Sequence, residues 1–191
     1  MLISEQLGEA LTERKKKDLW AVGKQAITSA GTSINIIPSV HKRAAFEPGT
    51  VNADIGGGAY DRATKFLARE KGVINIVWDP FTRSPKHNQK AAAAIKGGKA
   101  QTATVANVLN VIRNKADRAK TIRRAADAVG EDGVAYFQVY EGDRSGVGKV
   151  TPKGWQENRK LETYVSEIKR FFKVVIRKHG YIEARQKEPK T

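Results

Sequence analysis

From residue 50 onward, short runs rich in β-branched residues alternate with segments of helical spacing, and glycines punctuate the changes. Residues 50–55 form a strand pattern that runs into Gly56-Gly57-Gly58. Ala63, Phe66 and Leu67 then lie on one helical face, with Gly72 as a helix stop. Residues 73–78 make a second strand, 86–96 an alanine-rich helix closed by Gly97-Gly98, and 102–108 a third strand. Ala116, Ala119, Ile122, Ala126 and Val129 mark the next helix, and 133–140 a fourth strand. Leu161, Tyr164, Val165, Ile168 and Phe172 predict a further helix, and 173–177 with 181–185 a closing hairpin across His179-Gly180. This order predicts an α/β domain with a mostly parallel sheet, helices on both faces and a C-terminal antiparallel hairpin. In such sheets the ligand sits beyond the carboxyl ends of the strands.

Residues 1–48 read as a basic helical extension, 49–187 as the domain and 188–191 as a tail. Ile3, Leu7, Ala10 and Leu11 share one helical face, and Arg14-Lys15-Lys16-Lys17 follows. The 35 Lys and Arg against 20 Asp and Glu give a formal charge of +15 over 191 residues, which points to a polyanion such as nucleic acid. Aromatic residues make up only 7% and do not alternate with the basic ones, so no base-stacking platform is legible. Trp20 reads as packing. No apolar run is long enough to span a bilayer, and the start lacks the order of a secretory leader. With no cysteine, disulfides and thiolate metal sites are excluded, and a cytoplasmic protein is expected. His41, His87 and His179 have no ligand spacing, so no metal is expected. Oligomeric state is not legible.

Two stretches carry the chemistry. Asp54-Ile55-Gly56-Gly57-Gly58 ends a strand in an acid and turns through glycines that let backbone approach a ligand. Asp61 stands where the dinucleotide fingerprint needs its last glycine, which disfavours a pyrophosphate and suits a cationic ligand. Asp79 closes the second strand at about the 20-residue offset of an acid that grips ribose hydroxyls; a turn aspartate before Pro80 is the plainer alternative.

These segments resemble the first two motifs of class I S-adenosylmethionine-dependent methyltransferases: Asn52-Ala53-Asp54-Ile55-Gly56-Gly57-Gly58 the first, Trp78-Asp79-Pro80 the second. Asn107-Val108-Leu109-Asn110-Val111-Ile112, Gly133-Val134-Ala135-Tyr136-Phe137, and the stretch from Val139 through Trp155 to Arg159 resemble the fourth strand, fifth strand and downstream signature of a small methyltransferase-like group from bacteria and phages. The likeness spans about 50 to 185. It implies a Rossmann-like fold and S-adenosylmethionine as cofactor. It implies that Asp54, Gly56, Gly57 and Gly58 line the methionine end, that Asp79 and Pro80 flank the ribose, and that Asn107 faces the cofactor. Only one strand–helix unit fits between Asp79 and Asn107, so the family's third strand is expected to be missing or displaced and the sheet shortened.

The loop after the fourth strand supplies the acceptor side. Tyr140, Glu141 and Asp143 are the catalytic candidates, with Glu141 foremost as a general base. Asn110, Arg144, Trp155, Asn158 and Arg159 are candidates for holding substrate, with Lys149 and Lys153 for anions. A surface loop anchored by Trp155 is the alternative. Ala106-Asn107-Val108-Leu109 stands where the DNA amino-methyltransferase tetrapeptide belongs, and without cysteine, methylation through a cysteine adduct is excluded. The leading expectation is a methyltransferase, with nucleic acid favoured as its acceptor. The competing ones are a non-catalytic nucleic-acid-binding protein on a decayed methyltransferase fold, and an enzyme that uses the same cofactor without methylating a macromolecule.

Overall fold

The computed structural model describes residues 36–151 and 154–187. The basic run at Arg14–Lys17, the expected helix around Leu7, Trp20, Lys153 and the tail 188–191 lie outside the described residues.

Strands β1 (Val51–Ile55), β2 (Ile74–Trp78), β3 (Ala100–Ala106), β4 (Val129–Gln138), β7 (Phe172–Arg177) and β8 (Ile182–Lys187) form one sheet in the order β2-β1-β3-β4-β8-β7. The first four run parallel, and β8 and then β7 add on antiparallel. Strands β5 (Lys149–Thr151) and β6 (Gly154–Gln156) form a separate small hairpin. Helices α3 (Pro85–Ile95), α4 (Lys115–Ala128) and α5 (Val165–Ile168) share an apolar core with Ala53, Ile55, Val105, Ala135 and Phe137. On the opposite face, α1 (Ser39–Arg43) and α2 (Arg62–Phe66) with its π-turn extension Leu67–Lys71 enclose a smaller core of Val40, Ala44, Phe46, Leu67, Val73 and Tyr136. Residues 39–46, expected in the extension, therefore pack as part of the domain.

Between Asp79 and Asn107 the chain makes α3 and β3 and no second strand, so the sheet is one strand short on that side and β2 is its edge. Three sequence expectations shift. The fourth strand, expected over 133–140, runs from Val129 to Gln138, so Val129 leaves the helix and Tyr140 lies in the loop. Strand β3 stops at Ala106 because Asn107 takes a left-handed φ of 59°, a conformation asparagine tolerates better than most residues. The helix expected over 161–172 is a 3-10 turn, Leu161–Tyr164, followed by one turn of α5, after which Phe172 enters β7 opposite Lys187. Four of its five apolar residues are nonetheless buried and Val165 packs on the core, so the spacing identified the inward face but not the length of the element.

A polar stripe lies inside the fold. Asn52 and Asp54 on β1, Asn75 on β2, and Thr102 and Thr104 on β3 are all buried on the α1/α2 side. The Asn52 amide donates to Asn75 Oδ1 (2.7 Å) and Thr104 Oγ1 (2.9 Å), and Thr102 Oγ1 donates to Asn52 Oδ1 (2.8 Å). Each strand so links to its neighbour through side chains as well as backbone, which meets the cost of burying these groups.

Candidate functional site

After β1 the chain crosses to β2 on one side, then returns to β3 on the other. The loops leaving β1 and β3 diverge at this reversal, which opens a crevice at the carboxyl ends of the strands. Two cavities occupy it. The first, about 310 Å³, is lined by Gly56, Gly57, His41, Tyr60, Asn107, Asn110 and Tyr140. The second, about 260 Å³, is lined by Ile55, Gly56, Trp78, Asp79, Pro80, Val108, Ile112 and Arg124. They share Gly56 and Val111, so the glycine turn is the wall between them.

That turn admits no side chain. Gly56 has φ +76°, and a Cβ there would lie 2.5 Å from Val108 Cγ2. A Cβ at Gly57 would lie 2.8 Å from the Asp54 carboxylate and 2.9 Å from Val77 Cγ1. Asp54 itself accepts hydrogen bonds from Thr104 Oγ1 (3.0 Å) and Asn75 Nδ2 (3.2 Å), and lies 3.4 Å from His41 Nε2. Burial pushes the Asp54 carboxyl up, but His41 and these hydrogen bonds outweigh it and hold the group below its ordinary value. His41 Nδ1 and Asn110 Oδ1 are buried, and neither has a hydrogen-bond partner within the protein. Both residues line the first cavity.

Asp79 is buried at the head of the β2–α3 loop. Its Oδ2 accepts from Gly58 N–H (2.9 Å), and its Oδ1 from the N–H groups of Phe81 (2.9 Å) and Thr82 (3.0 Å). Asn88 holds its backbone on both sides, accepting from Asp79 N–H and donating to Asp79 C=O. Arg83 ties the same loop to the glycine turn, donating to Gly58 C=O (2.7 Å) and pairing with Asp61 (2.7 Å). Asp79 thus joins the β1 and β2 loops, with three of its roughly four acceptor positions in use. Arg124 covers the Trp78 ring at 3.7 Å and forms one side of the second cavity.

No family model and no curated protein sequence matches the chain. Solved structures do match. The crystal structure of Burkholderia thailandensis 1,6-didemethyltoxoflavin-N1-methyltransferase, with 1,6-didemethyltoxoflavin and S-adenosylhomocysteine bound, aligns over 100% of this chain and 92% of its own at 14% identity and a TM-score of 0.57. A SAM-dependent methyltransferase from Methanosarcina mazei aligns over 81% and 100% at 12% identity and a TM-score of 0.56. The chain has the class I methyltransferase fold. It spans 64% of a matched chain from a complex with the Haloferax volcanii Trm112 methyltransferase activator, and 34% of Haemonchus contortus phospholethanolamine N-methyltransferase 2.

On this methyltransferase fold the sequence-expected cofactor residues Asp54, Gly56, Gly57, Gly58, Asp79, Pro80 and Asn107 gather at one sheet edge around the two cavities. Asn107 Oδ1 accepts from Gln138, whose own side-chain oxygen accepts from Ser39 Oγ and Val40 N–H. Of the three catalytic candidates, Tyr140 lines the first cavity and is largely exposed. Glu141 accepts from Leu161 N–H (2.8 Å) and pairs with Arg144 (2.6 Å). Asp143 is exposed and pairs with Lys149 (3.0 Å); hydrogen bonds from Ser145, then Lys149, pull its carboxyl down to about 2.

The substrate candidates divide in the same way. Asn110 lines the cavity and donates to Gln156 Oε1 (3.2 Å), and Gln156 in turn donates to Tyr140 C=O. Asn158 is buried and donates to Val147 C=O, holding the 140–148 loop. Trp155 is half-buried against Gly148, with Arg113 over its ring at 4.6 Å. Arg159 pairs with Glu167 (2.8 Å) and stacks on Tyr164. Sequence reasoning missed His41, Tyr60, Gln156 and Arg124. Tyr60 alone carried a signal, as the aromatic two residues past the glycine turn.

Proposed function

We propose that this chain is an S-adenosylmethionine-dependent methyltransferase, with the adenosyl group in the Trp78–Arg124 cavity, the methionine end along Gly56–Gly58 and the methyl acceptor in the His41–Tyr140 cavity. The observation that carries the reading is the pair of cavities meeting at Gly56, at the reversal of strand order. A ligand with two arms fits there, because the missing Cβ leaves the backbone close to its middle. The Burkholderia enzyme of the same fold, which binds S-adenosylhomocysteine, supports the choice by analogy of fold.

When bound, the cofactor supplies an electrophilic methyl group. The work left to this chain is to bind, orient and exclude water. Apolar Ile55, Val108 and Ile112 suit the faces of an adenine. The one acceptor position left on Asp79 would serve a ribose hydroxyl. Asn110 Oδ1, short of a partner, offers an acceptor to the substrate, and Tyr140 with Tyr60 offers hydroxyls and aromatic faces. The charge of +15 favours nucleic acid as the acceptor.

Calorimetric titration with S-adenosylmethionine and with S-adenosylhomocysteine tests the reading. Saturable heat is expected from the wild type and none from Gly56→Val, whose β-branched side chain would occupy the turn. The use of three Asp79 acceptor positions by backbone N–H groups favours a second reading, in which the acid only shapes the loop and the protein binds nucleic acid without a cofactor. No heat and no thermal shift at millimolar cofactor would select that reading.

A further inference from the structure

A groove of about 700 Å³ runs between α3 and α4 on the solvent side of the sheet. Lys96, Lys120, Arg123 and Arg124 line it, with Asp127 as its acid. The charge is unbalanced well beyond the lining. Residues 85–99 carry Lys86, Lys90, Lys96 and Lys99 and no acid. Helix α4 carries four basic residues outside the core, Lys115, Lys120, Arg123 and Arg124, against Asp117 and Asp127, with Lys120 paired to Asp117 (2.8 Å); its fifth, Arg118, is buried against Glu167. The arginines are held in place: Arg123 stacks over Phe171 at 4.8 Å and Arg124 over Trp78 at 3.7 Å. A guanidinium fixed by its face keeps its N–H edge directed outward, which suits phosphate oxygens. Ala92, Ala93 and Gly97 form the rest of the wall and leave room for a backbone to approach. Lys120 and Arg124 also line the second cavity, so the groove and the proposed cofactor site share one wall.

We infer that this groove binds the sugar–phosphate backbone of a nucleic acid. It is distinct from the two basic segments prominent in the sequence, Arg14–Lys17 and the 144–159 loop. In that loop Arg144, Lys149 and Arg159 are already paired with Glu141, Asp143 and Glu167. Recognition of this kind is of phosphate, so binding depends steeply on salt and weakly on base sequence. The inference deepens the methyltransferase reading by placing its partner, and rests on it only for what the partner is there to do.

The test is fluorescence anisotropy of a labelled DNA oligonucleotide, single-stranded and as a duplex, titrated with full-length protein over a range of salt. Lys96→Glu with Arg123→Glu should weaken binding by about tenfold or more at low salt. It should make the slope of log affinity against log salt shallower by about one for each phosphate no longer neutralised. Lys96→Glu alone, at an exposed position, should show a smaller loss in the same direction without touching the Phe171 stack. Neither substitution lies in the cofactor cavity, so S-adenosylhomocysteine titration of the same variants should match wild type. Wild-type affinity and slope in the double variant would overturn the inference. So would loss confined to Arg14→Glu/Lys15→Glu/Lys16→Glu/Lys17→Glu, or no binding by the wild type. Failure of the methyltransferase reading would look different: DNA binding through the groove with no cofactor heat.

Discussion

Asp79 is where two roles can be separated by one substitution. Its carboxylate accepts from three backbone N–H groups in two loops, so Asp79→Asn, which turns an NH₂ toward one set of donors, removes acceptors from groups that are buried. A loss of roughly 1–3 kcal/mol in urea unfolding is expected, together with weaker cofactor binding. Unchanged stability with lost cofactor binding would mean the acid serves the ligand alone. Gly56→Ala is the companion change. A methyl 2.5 Å from Val108 at a φ of +76° combines overpacking with backbone strain, and about 1–3 kcal/mol of destabilisation is expected from the crowding.

At the scale of elements, the loop after β4 is fastened to the helical layer by a buried ion cluster. Arg118 on α4 donates to both oxygens of Glu167 on α5 (2.8 and 3.1 Å) and to the carbonyls of Ile112 and Arg113, and Arg159 donates to Glu167 as well. Arg118→Ala should cost about 3 kcal/mol, the low end for a broken buried ion pair, because Arg159 still holds Glu167. The cluster also sets an acid response. Burial pushes the Glu167 carboxyl up, but hydrogen bonds from Arg118 and Arg159 outweigh it, so its folded value lies below the ordinary 4.5. A depressed folded value stabilises the protein above the unfolded value, and that contribution is lost as pH falls through the folded one. Below about pH 4.5, wild-type stability should therefore fall more steeply than that of Arg118→Met/Glu167→Gln, measured by thermal unfolding across pH. Equal slopes would remove the cluster from the account of acid lability.

The same elements show how far the sequence could be read. The succession of strands and helices, the closing hairpin and the missing strand followed from glycine punctuation and from the short span between Asp79 and Asn107. The alternation of Asn52 and Asp54 with Val51, Ala53 and Ile55 was visible too. Such alternation ordinarily marks a solvated face. Here the polar residues of three adjacent strands satisfy one another beneath α1 and α2, a match that depends on register and not on any one strand's composition. His41 was illegible for a related reason. It reaches Asp54 through the packing of Val40, Ala44 and Phe46, which no local spacing announces. Glu141 and Asp143 looked catalytic because they follow a strand end, but what a carboxylate bonds to is decided by Leu161, Arg144 and Lys149, which come from elsewhere in the chain or the loop.

For the whole molecule, the glycine wall and the cavity on either side of it lie at the carboxyl ends of the strands, and the basic groove runs from there along α3 and α4, sharing Lys120 and Arg124 with the second cavity. No helix among the described residues is long and apolar enough to cross a membrane, and no group of three or more His, Cys, Asp or Glu among them is placed to hold a metal ion. A crystal structure of the protein with S-adenosylhomocysteine tests the two-cavity reading. The adenine is expected between Val108, Ile112 and the Trp78–Arg124 pair, the ribose at Asp79 and the amino-acid end against Gly56–Gly58, pointing its sulfur toward Tyr140. Ligand density at any other place, or none from crystals held at millimolar ligand, would contradict it.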